Sequence, residues 1–221
     1  MSDTLRAEVL EQLARVGRAL SSGKRLGLLY LLTQGPRPMA ELADAAGLKL
    51  TTTSSHLQIL KSAGLVRTTR HGTEIEYTIA GDDVAALWTH LRMVATAHLA
   101  DVDRVAQAYF GPDDTEEIGR SELLRRVADG QAVVLDVRPS LEFESGRIPG
   151  ALSIPLDELA DRLRELPTDQ EIAACCRGSF CVLSYDAVRL LTSKGHRAVR
   201  LAEGFLEWRL AWMPVMSGAA Q

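Results

Sequence analysis

Cysteine is scarce in this sequence. The 221 residues contain three cysteines, Cys175, Cys176 and Cys181, which lie within seven residues of one another. So few cysteines cannot form a disulfide scaffold, and in a reducing compartment such a cluster is more often reactive or metal-binding than structural. Because residues 1–174 contain no cysteine, a thiolate metal site or a dithiol switch is excluded from that part of the chain.

Long apolar runs are missing as well. Charged or polar residues interrupt every apolar stretch, so none reaches the length of a membrane span. The N-terminal sequence MSDTLRAEVLEQLARV lacks the apolar core of a signal peptide. The apolar fraction of 46% and the charged fraction of 24% are ordinary for a globular protein. We therefore expect a cytoplasmic protein that does not bind membranes and whose chain is long enough for two domains.

Acidic residues are absent between Asp44 and Glu74, although the whole chain carries a net charge of −4. The basic and histidine side chains of this window are Lys49, His56, Lys61, Arg67, Arg70 and His71. An acid-free basic stretch in an acidic protein predicts a phosphate-binding surface. The alternative is a solvated helix face whose composition arose by chance.

The first half of the chain has helical spacing of its apolar residues. We predict helices over 5–20, over RLGLLYLLTQ, over MAELADAAG and over 50–63, with glycines at the ends of the last two. LVRTTR and TEIEYTI flank His71-Gly72, which predicts a β-hairpin. This order of elements is that of a winged helix-turn-helix, which is mainly α-helical with a hairpin wing.

A further long helix is predicted over 84–109, with one apolar seam. The seam consists of Val84, Leu87, Leu91, Val94, His98, Val102 and Val105. Such a helix is longer than a small domain needs, so together with the first helix it predicts a homodimer interface.

The 50–63 helix is the predicted DNA-reading element. Leu50, Thr53, Leu57 and Leu60 are expected to face the core, which leaves short polar side chains outside. Such side chains suit contacts with phosphates and base edges in a groove. The predicted DNA-binding residues of the helix and the hairpin are Lys49, Thr51, Thr52, Ser55, His56, Gln58, Lys61, Arg67, Arg70 and His71.

The stretch ELADAAGLKLTTTSSHLQILKSAGLVRTTRHGTEIEYTI resembles the ArsR family of dimeric winged-helix repressors. The sequence departs from the family pattern at two places. Metal sensors of the family often have Cys-x-Cys where this sequence has Arg-Pro-Met-Ala at 37–40, and family members often have a helix-capping serine where this sequence has Lys49. His90, His98 and Asp101 could share a zinc site across a dimer axis, but their spacing does not match the family pattern. We therefore predict no metal.

The pattern changes after the polar stretch GPDDTEE. We predict a DNA-binding and dimerisation domain over 1–110, a linker over 111–119 and a second domain over 120–221. In the second domain the short apolar runs AVVLD, ALSIP, IAACC and AVRLA alternate with amphipathic helices, which predicts an α/β domain with a central parallel sheet.

The segment Cys176-Arg177-Gly178-Ser179-Phe180-Cys181 follows an apolar run and precedes a helix. Backbone amides that converge there would stabilise an anionic sulfur, so we expect a lowered pKa for Cys176. Gly178 allows a tight turn and Arg177 adds positive charge. Cys175 is expected to point into the core.

Residues 120–215 resemble a single rhodanese domain. LDVRPSLEFESGRIPGALSIP and EGFLEWRLAWMPV match the two sequence signatures that flank the cysteine loop in that family. The resemblance implies that Cys176 accepts sulfur and that residues 177–181 form its loop. It also implies that Asp136, Arg138 and Glu142 are ion-pair or scaffold positions and that Trp208 belongs to the core. Arg147 and Trp212 depart from the family's usual His and Gly.

Together the resemblances imply an ArsR-type regulator, expected to be a repressor, that binds double-stranded operator DNA as a homodimer. Its second domain would sense reactive sulfur or redox state by accepting sulfur from thiosulfate, polysulfide or a low-molecular-weight persulfide. Cys181 would resolve the Cys176 persulfide as a disulfide or polysulfide bridge. No cofactor is expected.

Two enzymatic functions stay open. The first is a sulfurtransferase with an attached DNA-binding domain. The second is an arsenate-reductase-like or phosphatase-like enzyme, which needs an arginine six residues after its cysteine, where this sequence has Val182. A soft ion held by the three thiols is a minor alternative.

Overall fold

The computed structural model describes residues 2–111 and 115–218. The chain forms two compact units, Met1–Arg92 and Met93–Gln221. The domain boundaries drawn from the sequence at 110 and 119 stay a prediction, and residues 112–114 of the predicted linker, like Met1 and residues 219–221, lie outside the described residues. In the described part of the chain, no helix combines the length and apolar character needed to cross a membrane.

The first unit has the predicted winged helix-turn-helix order. Its elements are α1 (Ser2–Leu20), α2 (Gly23–Leu32), β1 (Arg37–Pro38), α3 (Met39–Ala45), α4 (Leu50–Ser62), β2 (Val66–His71) and β3 (Glu74–Ile79). β2 and β3 form the predicted hairpin, whose turn contains Gly72 at a φ of 64°. β1 adds a third strand by pairing with β3, and its two residues are too short to show a pattern in the sequence.

The buried stripe of α4 is shorter than the sequence predicts. Thr53, Leu57 and Leu60 are buried as expected, whereas Leu50 is 52% exposed. Leu50 is the first residue of α4 and lies one turn before the buried stripe begins, so the prediction that it faces the core is wrong.

The single long helix predicted over 84–109 is also wrong, because the chain forms two helices there. α5 spans Asp82–His98 and α6 spans Ala100–Phe110, with Leu99 between them in an extended conformation. No glycine or proline marks the break. Of the predicted seam, Val84 is buried, whereas the exposed members are Leu87, Leu91, Val94, His98 and Val105.

The second unit contains the predicted parallel α/β domain. Its elements are β4 (Glu117–Ile118), α7 (Arg120–Ala128), β5 (Ala132–Asp136), α8 (Ser140–Ser145), β6 (Leu152–Ser153), α9 (Leu156–Arg162), a 3₁₀ turn (Leu163–Glu165), β7 (Glu171–Cys175), α10 (Leu183–Ser193), β8 (Ala198–Leu201) and α11 (Phe205–Leu210). The sheet order is β4-β8-β7-β5-β6, and every pairing is parallel. β4 lies within the predicted linker, where its two residues extend the sheet through β8.

Trp212 lies where the sequence resemblance implies a glycine, and its backbone has a conformation that favours glycine. Its φ is 57°, in the left-handed region, and its side chain is 88% exposed. That conformation destabilises the folded state by roughly 1–2 kcal/mol for a residue that has a Cβ. We therefore expect Trp212→Gly to raise the free energy of unfolding by up to about 1 kcal/mol, after allowing for the greater entropy of glycine in the unfolded chain. Urea unfolding of the two proteins checks this, and a clear loss of stability on substitution would show that the indole contributes packing.

Candidate functional site

Two buried cysteines lie at the carboxyl end of β7. Residues 176–181, here called the sulfur loop, connect β7 to α10. Cys175, the last residue of β7, is fully buried, as predicted. Cys176 and Cys181 are also buried, with exposed fractions of 4% and 5%. The carboxyl edge of a parallel sheet is where α/β folds place ligands, so the loop has the position expected of a reactive site.

The Cys176 sulfur is surrounded by hydrogen-bond acceptors. Its Sγ lies 3.3 Å from Oγ of Ser184, 3.6 Å from the carbonyl oxygen of Cys181 and 3.7 Å from that of Gly178. Burial raises the pKa of the Cys176 thiol well above its ordinary value, and the neighbouring Cys181 raises it further. The predicted lowering of this pKa is therefore wrong, because loss of solvent outweighs the hydrogen bonds from Ser184 and the Gly178 backbone.

The loop stabilises negative charge at Cys181 instead. The hydrogen bond from Cys176 lowers the pKa of the Cys181 thiol, and backbone hydrogen bonds from Arg177 and Leu183 act in the same direction against burial. The positive charge of Arg177 lowers it further. Of the two thiols, Cys181 is therefore the one whose surroundings favour the anionic form, whereas burial disfavours that form at Cys176.

Arg177 is clamped to the body of the domain. Its Nε and Nη2 donate to the carboxylate of Glu142 at 2.7–2.9 Å, and Glu142 is almost fully buried. A bidentate pair of this kind fixes the orientation of the guanidinium as well as the position of its charge. The ion-pair role implied for Glu142 is observed, and Arg177 serves to hold the loop.

The loop is also fixed from α11. The backbone amides of Phe205 and Leu206 donate to the carbonyl oxygens of Cys176 and Arg177 at 2.8 and 3.1 Å. Gly204 approaches so closely that a Cβ built on it would lie 2.2 Å from N and Cα of Gly178. Gly204 must therefore be glycine because the backbone of Gly178 lies against it, whereas a Cβ on Gly178 itself would lie 3.1 Å from Oε2 of Glu207.

Glu207 and Ser184 are site residues that the sequence interpretation missed. The Glu207 carboxylate accepts hydrogen bonds from the Gly204 amide at 3.1 Å and from the Ser179 hydroxyl at 3.2 Å. Ser184 lies in the first turn of α10. The start of a helix that follows a loop faces back toward that loop, and this rule could have identified Ser184.

Asp136 and Arg138 form the buried scaffold beside the loop. Arg138 is fully buried, and its Nη2 donates to Asp136 at 2.6 Å and to the carbonyl oxygen of Gly146 at 2.7 Å. Its guanidinium also lies 4.2 Å from the ring centre of Phe205. Arg138 thus supports the α11 residue whose amide holds Cys176. Trp208 is buried in the core, as the resemblance implied.

In the first unit, the ten predicted DNA-binding residues all lie at the surface or are half-buried. Three of them have partners that order the wing. Lys61 Nζ donates to Oγ1 of Thr68 at 2.8 Å, Arg70 Nε donates to the carbonyl of Gly72, and His71 pairs with Glu76 at 3.2 Å. Their role as DNA contacts stays a prediction.

Arg25 and Lys24 are two further cations that lie near the DNA-reading helix and act on His56. Burial lowers the pKa of His56, and the positive charges of Arg25 and Lys24 lower it further. His56 is therefore neutral at pH 7 and does not add positive charge to α4. Arg25 and Lys24, at the start of α2, were missed because they lie outside the acid-free window of the sequence.

Metal-ligating groups are not clustered in the described residues, where no three His, Cys, Asp or Glu side chains are placed to hold an ion. His90 Nδ1 lies 2.8 Å from the carbonyl oxygen of Ala86, and Asp101 pairs with Arg104 at 2.9 Å.

Two family profiles match the chain: the bacterial regulatory protein arsR family over residues 22–68 and the rhodanese-like domain over 120–211. The chain is 51% identical to the HTH-type transcriptional regulator Rv0324 of Mycobacterium tuberculosis, over 97% of this chain and 94% of that protein. It is 32% identical to a sulfurtransferase of Allochromatium vinosum, over 46% of this chain and 94% of that protein. Among solved structures it is similar to the homodimeric winged helix-turn-helix domain of a Mycobacterium bovis protein, with 50% identity, a TM-score of 0.41 and coverage of 43% of this chain and 89% of that one.

Proposed function

Because the chain belongs to the ArsR family of transcriptional regulators and carries a C-terminal rhodanese-like domain, we propose that it is a sulfur-responsive repressor. It binds operator DNA as a homodimer, and its rhodanese-like domain accepts sulfane sulfur on Cys176. The observation that carries the proposal is the paired burial of Cys176 and Cys181 in one hydrogen-bonded loop of a DNA-binding protein.

The chemistry uses the two neighbouring thiols. When Cys181 is ionised, it takes the proton of Cys176 as Cys176 attacks the outer sulfur of a persulfide; the S–S bond of the donor breaks, and the donor leaves as a thiolate. The product is a Cys176 persulfide. When Cys181 then loses its proton and attacks the inner sulfur, a Cys176–Cys181 disulfide forms and hydrosulfide leaves, so no added oxidant is needed.

Self-association is supported by apolar side chains that the single chain leaves exposed. Leu5, Val9, Leu10 and Leu13 project from α1 with helical spacing, and all are more than half exposed. A helix with such a stripe is unstable in water unless another surface covers it. A second copy supplies that surface and gives the two-fold symmetry that operator binding needs.

A sulfurtransferase is the second candidate function, and the similarity of the rhodanese-like half to the Allochromatium protein favours it. In that case turnover with an acceptor thiol would be fast and would leave DNA affinity unchanged. An arsenate-reductase-like enzyme has no support, because Val182 occupies the position at which such an enzyme needs its oxyanion-binding arginine.

DNA binding is tested by selection from a pool of random duplexes. We expect the full chain to enrich a two-fold symmetric sequence. On that duplex, Gln58→Ala should relax the base preference and weaken the binding free energy by about 1–3 kcal/mol. Arg67→Ala should weaken binding to all sequences and lower the slope of log affinity against log salt concentration by about one, the contribution of one phosphate contact. Arg164→Ala, which removes the same charge from the rhodanese-like half, is the control. Enrichment of no sequence, or equal losses for Arg67 and Arg164, would contradict the proposed interface.

A further inference from the structure

The end of α6 packs against the sulfur loop. The ring of Phe110, the last residue of α6, stacks on Tyr185 of α10 with ring centres 4.8 Å apart, and it lies 5.9 Å from Phe180. Phe180 is part of the sulfur loop, and Tyr185 lies in the first turn of the helix that follows it. These three rings, here called the aromatic clasp, join α6 to both the loop and the helix at its end.

Two arginines hold the clasp in place. Nη2 of Arg189 donates to the carbonyl oxygen of Phe110 at 3.0 Å, which satisfies an acceptor at the open end of α6. The guanidinium of Arg200 lies 3.9 Å from the ring centre of Tyr185, and Arg200 donates to Glu117 at 2.7 Å. The clasp is therefore anchored to the sheet through β8 and β4.

Tyr109 lies beside the clasp at the edge of the sulfur site. Tyr109 is 59% exposed, and the loss of solvent on its covered side, together with negative charge at Cys181, raises its pKa. A cavity of about 670 Å³ opens next to it, lined by Tyr109, Phe180 and apolar residues of α6 that include Val102 and Val105. Phe180 of the sulfur loop therefore lines this cavity on one side and contacts Phe110 on the other.

A sulfur donor cannot reach Cys176 in the closed structure, because Cys176 and Cys181 are almost fully buried. The side of the loop that faces α11 is fixed by the contact of Gly178 with Gly204 and by the Arg177–Glu142 pair. Phe110 itself contacts Phe180 and Tyr185 through its ring and accepts the Arg189 hydrogen bond at its carbonyl oxygen, contacts weaker than a buried ion pair and a backbone-to-backbone contact, so we expect the loop to open on this side.

We propose that the aromatic clasp is a gate which couples the sulfur state of the loop to α6. A donor reaches Cys176 only when Phe110 leaves Phe180 and Tyr185, and the loaded loop keeps the clasp open. This inference rests on the proposed sulfur acceptance and names how that site is regulated.

The coupling follows from packing and linkage. An additional sulfur atom must fit into a closely packed pocket, and such pockets resist enlargement. If loading favours the open clasp, an open clasp must favour loading by the same factor. α6 follows α5 after the single residue Leu99, and α5 carries exposed apolar side chains such as Val94. A released α6 would therefore alter a helix whose apolar seam we predict to belong to the dimer interface.

Native alkylation of the full chain tests the gate. Iodoacetamide is added without denaturant, and the rate of modification of Cys176 and Cys181 is read by peptide mass spectrometry. We expect Phe110→Ala to raise this rate about tenfold, which corresponds to a loss of roughly 1.4 kcal/mol from the free energy that favours the closed clasp over the open one. Arg189→Gln should raise the rate less. Arg104→Ala, on the same helix but outside the clasp, should react as the unaltered chain does.

An equal rate in Phe110→Ala and the unaltered chain would overturn the gate. If Phe110→Ala does not fold, Phe110→Leu keeps the apolar bulk without the ring stack, and together with Arg189→Gln it decides the question in the same way. Fully buried Cys175 serves as the internal reference for global unfolding, because faster labelling of all three cysteines would mean a loss of stability.

Hydrogen exchange tests the second half of the proposal. After the full chain is loaded with inorganic polysulfide, we expect the amides of residues 100–110 to lose protection, whereas Cys176→Ser should show no change. Unchanged protection in a chain that mass spectrometry shows to be loaded would overturn the coupling. A chain that takes up no sulfur would instead refute the proposed function, while the alkylation rates would still decide whether the clasp closes the site.

Discussion

The Cys176→Ser protein is expected to take up no sulfane sulfur at its rhodanese-like domain. Cys176 is the thiol that Ser184 and the loop backbone surround, and in our account it is the atom that forms the new S–S bond. A serine hydroxyl cannot replace it, because a persulfide needs a thiolate nucleophile. Intact mass spectrometry after incubation with inorganic polysulfide measures the gain of sulfur, which should fall to background in this variant.

Cys181→Ser is the matched control and should behave differently. It keeps the nucleophile but loses the group that accepts its proton, so uptake should continue about a hundredfold more slowly. The product should remain a persulfide, since the thiol that would form the disulfide is gone. If Cys176→Ser gains sulfur as fast as the unaltered chain and carries it on Cys181, the two cysteines have the opposite roles and the assignment of the nucleophile is wrong.

The Gly204→Ala protein is expected to be strongly destabilised in its second unit. The backbone of Gly204 is in an extended conformation that alanine can adopt, so the effect comes from contact alone. The added Cβ would lie 2.2 Å from backbone atoms of Gly178, which cannot move away as a side chain could. Overpacking of this kind costs about 3 kcal/mol or more when backbone must shift. Urea unfolding measures the loss, and sulfur uptake should disappear with the loop geometry.

Gly119→Ala provides the control for that substitution. Gly119 lies in the same unit, and a Cβ built there meets nothing within 4 Å. The substitution should change stability by less than about 1 kcal/mol and leave sulfur uptake intact. Equal effects at the two glycines, or normal uptake in Gly204→Ala, would show that the close approach does not hold the loop.

Much of the fold follows from local patterns in the sequence. Helical spacing and glycine stops place the helices of the first unit, and the His71-Gly72 turn places its hairpin. In the second unit, the alternation of short apolar runs with helices is sufficient to predict a parallel sheet. β1 and β4 were missed, since each has two residues and forms only because a neighbouring strand offers free hydrogen-bonding groups.

The break at Leu99 could not be predicted because the seam continues through it. Neither glycine nor proline interrupts the residues from 82 to 110, and the apolar spacing suits a single helix. In the structure, the helix that follows the break ends on Tyr185 and Phe180, residues that lie 70 or more positions later in the sequence. Tertiary contacts of this kind can override a local pattern.

The candidate site shows the same division between local and distant information. The loop and its cysteines could be identified from the sequence, because they are adjacent in the chain. The protonation of the pair could not, since the pKa of Cys176 depends on burial, which in turn depends on elements that pack around it. Glu207 and Gly204 contribute through contacts made across about 28 residues of sequence, as the Ser179–Glu207 hydrogen bond shows.

The most direct test of the account measures sulfur content and DNA binding in the same samples. The full chain is bound to its selected duplex, titrated with inorganic polysulfide, and sampled for mass and for the fraction of DNA bound. We predict that DNA is released in proportion to the sulfur carried on Cys176 and Cys181, and that Cys176→Ser stays bound throughout. A fully loaded chain that holds its DNA with unchanged affinity would contradict the account.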